Sequence, residues 1–168
     1  APGAGRAPGA RRAAASAAAA LALAAGAAVL AGPSLGLFSG SRPASLGFSG
    51  GRFAPGDWRP NWVSSTAPRD DATHHVAPIA ISGDPAAAWA ALEAAIAAMP
   101  RSRVVTRTGS YLHAEFASKG LGFVDDAEFA LDAAARVIHV KSAARLGIRD
   151  FSVNRDRIES LRARLSGS

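Results

Sequence analysis

Across residues 102–143 apolar and polar positions alternate in four short runs, and on either side of that block apolar residues recur every three or four positions. Alternation marks a half-buried strand, and the longer spacing marks one face of a helix. The alternating runs predict strands over residues 102–108, 110–118, 123–132 and 136–143, with Gly-containing or Ala-rich turns between them. Residues 75–82 alternate as well and predict an earlier strand. Asp84 then offers an N-cap and Pro85 a first helical position, after which Trp89, Leu92, Ile96 and Met99 recur at helical spacing until Pro100 stops the run. A last helix is predicted from about Ser152. It carries Val153, Ile158, Leu161 and Leu165 on one stripe and Arg155, Arg157, Arg162 and Arg164 on the other face. Residues 61–71 read as a loop, with Trp58 and Trp62 available as lids.

The resulting order, β-α-β-β-β-β-α, most simply makes an α+β fold: a curved antiparallel sheet with both helices on one face, resembling the TATA-binding-protein-like or helix-grip arrangement. A ferredoxin-like sandwich with an extra hairpin is the second option. No internal repeat is visible.

Charge divides the chain. The first acid is Asp57, so residues 1–56 carry five arginines and no carboxylate, whereas residues 57–168 carry 14 Lys or Arg against 13 Asp or Glu. A nucleic-acid binder concentrates its basic excess on the folded module, and this module is nearly neutral, so no nucleic-acid partner is expected. With no cysteine, disulfides, thiol catalysis and zinc-thiolate sites are excluded.

Four segments follow. Residues 1–12 are basic and small, like a transit peptide, and the start at Ala1 suggests an already trimmed precursor. Arg11 and Arg12 precede an uncharged run, residues 13–32, with 13 alanines, three leucines and one valine. That run reads either as a twin-arginine signal that is cleaved or as a retained membrane helix leaning on Leu21, Leu23, Val29 and Leu30. Residues 33–56 have a Gly/Ser/Pro linker composition, with Phe38, Phe48 and Phe53 as anchors for a membrane or partner surface. Residues 57–168 form the domain. No cofactor is expected, although the N-terminal segment could meet pigment or lipid.

Candidate chemistry lies on the predicted strands. Tyr111, His113 and Glu115 share one face of their strand; Asp125, Asp126 and Glu128 follow on the next, and His139 and Lys141 on its neighbour. Successive hairpins would permit pairs such as Glu115 with Lys141 or His113 with Glu128. The first option is a set of ion pairs and caps, with Asp150 or Ser152 capping the last helix and Arg145 buried at the sheet edge against Asp125, Asp126 or Asp150. The second is a ligand site built from His113, Glu115, Asp126, His139, Arg145 and Arg155. The third is a metal or hydrolytic site on His113, Glu115, Asp125 and Asp126, although no metal spacing is present and adjacent His74 and His75 point apart on a strand. Ser118, Ser142 and Ser152 lack a nucleophile elbow, and the KGLGF turn lacks the spacing of a phosphate loop. No catalytic motif is recognised, and an enzyme is not expected.

The motifs PNWVSS (from Pro60), YLHAEF, GFVDDAEF, IHVKSAAR and DFSVNR, in this order, resemble the bacterial and plastid family catalogued as domain of unknown function 1499. Members usually show PNCVSS, so Trp62 stands where relatives have a thiol, and Ala117 stands where a second basic residue is common. The resemblance implies shared structure without an assigned reaction. Algal and plant members look like thylakoid or plastid-envelope proteins. The favoured expectation is therefore a non-catalytic accessory subunit at the thylakoid membrane, binding a larger complex such as a photosystem-antenna assembly. The alternative is a soluble lumenal ligand-binding or enzymatic domain that uses the polar sheet face.

Overall fold

The computed structural model describes residue 22 and residues 36–166. The expected membrane contacts Leu21, Leu23, Val29 and Leu30 lie outside the described residues. Among those described, no helix is long and apolar enough to cross a membrane.

In chain order the elements are β1 (Phe48–Ser49), β2 (Arg52–Phe53), β3 (Trp62–Ser64), β4 (Ile79–Ala80), α1 (Pro85–Ala97), β5 (Ser102–Arg107), β6 (Tyr111–Ala117), β7 (Val124–Asp132), β8 (Val137–Ala144) and α2 (Val153–Ser166). The fold is α+β. A six-stranded antiparallel sheet runs β3-β8-β7-β6-β5, and β4 shares the outer edge of β8 with β3. The four central strands and both helices fall within a residue or two of their expected ends. The expected strand over residues 75–82 shortens to Ile79–Ala80, preceded by an isolated bridge from His75 to Ser64. The expected loop at PNWVSS is instead strand β3, paired through Trp62 with Ala143 and Ser64 with Lys141.

One face of the sheet carries the apolar core. Val63, Leu112, Ala114, Phe116, Ala127, Phe129, Ile138 and Val140 meet Trp89, Leu92 and Ile96 of α1 and Ile158 and Leu161 of α2. Strand alternation turns these side chains to the helices and sends their neighbours to the other side. Asp84 Oδ2 accepts from Ala87 N at 2.8 Å to start α1, and Ser102 Oγ donates to the carbonyls of Ile96 and Met99 to close it.

Helix α2 departs from its expected stripe. Val153 is exposed, and Arg157, expected on the outer basic face, is buried. Its Nη2 donates to Asp125 Oδ2 at 2.6 Å, its Nη1 to Ser142 Oγ and Asn154 Oδ1, and its guanidinium lies 4.6 Å from the Phe116 ring centroid. Arg155 and Arg162 serve the irregular segment leading to β4, donating to the carbonyls of Ala72, Thr73 and His75 and to those of Ala77 and Pro78. That segment has few ladder partners, and the helix supplies them. Asp150 caps the start of α2 by accepting from Asn154 N and Ser152 N. Between cap and helix, Phe151 (φ 52°) and Ser152 (φ 68°) are two consecutive left-handed residues, a conformation L side chains seldom adopt.

Candidate functional site

The sheet face turned away from the helices bears the charges that alternation predicts. Tyr111, His113 and Glu115 of β6, Asp126 and Glu128 of β7, and His139 and Lys141 of β8 all project there, with Arg103 of β5 at one side and Trp62 and Ser64 of β3 at the other. Register sets Glu115 directly opposite Asp126, and Glu128 opposite both His113 and Lys141. Two facing carboxylates repel unless a cation bridges them.

Arg145, just past the end of β8, is that cation. Its Nε donates to Asp126 Oδ2 at 2.7 Å, and its Nη2 donates to Asp126 Oδ1 at 2.7 Å and to Glu115 Oε1 at 2.5 Å. The side chain is 6% exposed, so the expected burial and the expected carboxylate partner Asp126 are both present, although β8 is an interior strand and not the sheet edge. His113 Nε2 lies 2.8 Å from Asp126 Oδ1 and donates to it, because an ionised carboxylate only accepts. Glu115 also accepts from Arg103 and Arg42, each at 2.6 Å. Glu128 accepts from Tyr111 Oη at 2.8 Å and lies 3.7 Å from Lys141 Nζ.

The face is roofed by the segment expected as a linker. Residues 36–56 form a strap, pinned by a short β1–β2 ladder, that crosses the charged side chains. Gly47 N donates to Glu128 Oε1 at 2.6 Å, Lys141 Nζ donates to the Ala54 carbonyl at 2.7 Å, and Arg42 reaches Glu115. Phe48 stacks on His139 at 5.3 Å between centroids and meets Phe53 edge-on; Phe53 is fully buried, and Phe38 leans on Phe123. All three aromatics pack against their own domain, Phe48 and Phe53 on the charged sheet face and Phe38 on the β6–β7 turn. Gly40 (φ 62°) lies so close that a Cβ would sit 2.9 Å from Arg145 Cβ, and a Cβ on Gly56 would collide with the Trp62 indole. Trp62 stacks on His74 at 4.0 Å and donates to the Asp57 carbonyl. Trp58 is exposed and covers nothing.

Burial and partners set the titration of the face. Burial pushes the Glu115 carboxyl up, but the guanidinium groups of Arg145, Arg103 and Arg42 outweigh it and hold the carboxyl at about 2. The same competition leaves Asp126 below its ordinary value, through Arg145 and His113. Burial lowers Lys141 against the pull of Glu128, and burial together with the Glu128 charge raises the Tyr111 hydroxyl. On the helix side burial raises Asp125, with Arg157 opposing.

Of the expected ligand set, His113, Glu115, Asp126 and Arg145 converge in one network. His139 lies beside it, 3.3 Å from Ser65 Oγ and under Phe48. Arg155 is elsewhere, on α2, bonded to carbonyls. The expected metal set is split, since Asp125 and Asp126 are consecutive on β7 and point to opposite faces. Among the described residues no group of three or more His, Asp or Glu is disposed to hold a metal. His74 bonds Asp71 and stacks on Trp62 instead of chelating with His75. Sequence reasoning missed Arg42, although it is the only charged residue between Arg12 and Arg52, and that isolation in a Gly/Ser/Pro stretch was a usable signal.

A family model described as protein of unknown function (DUF1499) matches residues 54–165. Comparison with curated proteins and with solved structures gives no match. The strap residues from 36 to 53, which roof the charged face, lie ahead of the matched region.

Proposed function

The chain belongs to the DUF1499 family, and from that premise we propose that it is a non-catalytic accessory subunit at the plastid thylakoid membrane that binds a larger membrane complex, such as a photosystem-antenna assembly. The observation that carries this reading is the strap. A flexible tether would leave the domain free to wander from whatever the N-terminal segment holds. Here Arg42, Gly47, Phe48 and Phe53 fasten the chain to the sheet, so the domain is fixed relative to residue 36, a few residues after the uncharged run. That is the mechanics of a subunit placed by its N-terminus. Arg11 and Arg12 ahead of an Ala-rich run support a plastid export address. Each carboxylate of the sheet face is also engaged by a group of its own chain, as befits a structural network.

Membrane fractionation followed by native gels tests the proposal. Comigration of the chain with a large membrane complex is expected. Recovery as a free soluble monomer trimmed near residue 56 would remove the reading, because such trimming strips off the strap. A second reading, a ligand-binding or enzymatic face, has one observation in its favour: strap residues 36–53 lie outside the matched region, and release of the strap would uncover His113, Glu115, Asp126 and Arg145 together. Limited proteolysis that frees the strap while the domain stays folded and gains a small-molecule ligand would favour it.

A further inference from the structure

At one end of the sheet the turn between β6 and β7 and the loop between β8 and α2 lie side by side, tied by Arg145 N donating to the Val124 carbonyl. This tip exposes large apolar side chains instead of covering them. Phe151 is 89% exposed and Ile148 60%, with Phe123, Leu146 and Val153 also exposed around a cavity of about 300 Å³. Trp58 is exposed too, next to Arg59, whose guanidinium approaches the Gly147 carbonyl in the same loop. A contiguous apolar patch of this kind marks an interaction surface. The two left-handed residues at 151 and 152 hold Phe151 outward, so its exposure is built into the loop.

We propose that this tip docks into the interfacial layer of a lipid bilayer. Two observations select the bilayer as occupant. First, the chain enters the domain at the tip: the Phe38 ring packs 5.7 Å from the Phe123 ring, and a Cβ on Gly40 would touch the Leu146 side chain. Six residues separate Phe38 from Gly32, the end of the uncharged run, a reach of at most about 21 Å. The tip is therefore within that reach of the run's end, close to any surface the run lies in or on; this step rests on the membrane reading proposed above. Second, the charges match an anionic headgroup layer. Lys119 and Arg149 are exposed on the two loops, while Asp125 is engaged by Arg157, Asp150 by the start of α2, and the exposed Asp57 by Arg59 beside it, which leaves Lys119 and Arg149 as the basic excess. Aromatic rings with basic neighbours are the chemistry of interfacial anchoring, the rings sitting at headgroup level and the cations among the phosphates.

The test uses the full chain, which has no cysteine of its own. Single variants Ile148→Cys and Phe151→Cys are labelled with an environment-sensitive fluorophore, with Ala134→Cys, exposed in the β7–β8 turn at the opposite end, as control. Each is mixed with protein-free vesicles of phosphatidylcholine and phosphatidylglycerol and then floated on a density gradient. A blue shift at 148 and 151 with none at 134 is expected, weakened in high salt. If the chain floats but 148 and 151 stay water-exposed, the N-terminal run anchors alone and the tip proposal is overturned. Failure to float overturns it as well. A shift that needs membrane proteins would assign the patch to a protein partner instead. A positive result in vesicles that hold no protein stands whether or not the chain binds a larger complex.

Discussion

Replacing Arg145 with alanine is the most direct probe of the charged face. The guanidinium makes three short bonds to two carboxylates from a side chain that is almost entirely enclosed. Glu115 would keep Arg103 and Arg42, so its charge stays compensated. Asp126 would keep only His113 and become a buried carboxylate short of its main partner. Removing one member of a buried pair costs about 3 to 5 kcal/mol, and the reprieve for Glu115 puts the expectation near 4 kcal/mol. For a domain of this size that is a fall in Tm of roughly 12 to 20 °C. The comparison is Arg103→Ala, whose side chain is 70% exposed and whose loss should cost at most about 1 kcal/mol. Calorimetry over a pH series adds a second signature. Without Arg145, burial raises the Asp126 carboxyl, so protonation relieves the variant and its deficit narrows as pH falls from about 7 towards 4. Equal losses for Arg145→Ala and Arg103→Ala, or a deficit constant with pH, would refute the claim that Arg145 neutralises a buried carboxylate pair.

Three further outcomes follow from the same geometry. The folded Glu115 carboxyl, held at about 2, lies below its unfolded value, so it adds stability above about pH 4.5 that is lost as pH falls towards 2; the shifted Asp126 acts in the same sense, and urea titrations should show this acid loss blunted in Glu115→Gln. Gly56→Ala should destabilise by about 1 to 3 kcal/mol because its Cβ strikes the Trp62 indole, whereas in a Trp62→Ala background the same change should cost close to nothing, and additive losses in that double-mutant cycle would sink the idea. Phe53→Ala empties a fully buried site and should cost about 3 to 5 kcal/mol through strap release, seen as accelerated tryptic cleavage after Arg52 while the sheet stays intact.

Strands β6 to β8 were legible because each has one face in the core and one beside water or charge, so their alternation survives in the sequence; β5 is an edge strand with no buried residue and a register shift between Val104 and Thr106, and it was legible from its β-branched run. Strand β3 was not, because Trp62, Val63 and Ser64 are all buried, the middle one against the helices and the outer two under the strap. Likewise the strand ahead of α1 is short because β8 offers one edge to two segments in succession, a division no local pattern records. The strap reads as linker by composition, and rightly so in isolation; its order comes from backbone groups meeting Glu128 and Lys141 some 80 residues away. The face on which the charges gather was legible from parity alone. Their pairing was not, since Arg145 and Arg157 choose between adjacent Asp126 and Asp125 by the side of the sheet from which they arrive.

The facing carboxylates of β6 and β7 also impose a sequence in time. A β6–β7 hairpin alone sets Glu115 against Asp126, a repulsive pairing, whereas β7–β8 brings Lys141 opposite Glu128 and carries Arg145 to Asp126. Pairing of β7 with β8 is the consistent first step, because β6 then meets an Asp126 that already has Arg145, while Arg103 of the β5–β6 hairpin compensates Glu115. The strap needs the finished surface, because the groups that hold it are on Glu115, Glu128, His139 and Lys141. What is synthesised early therefore docks late. Until the last strand has emerged, the strap has no sheet face on which to settle, so residues 36–56 stay accessible for as long as β8 is missing.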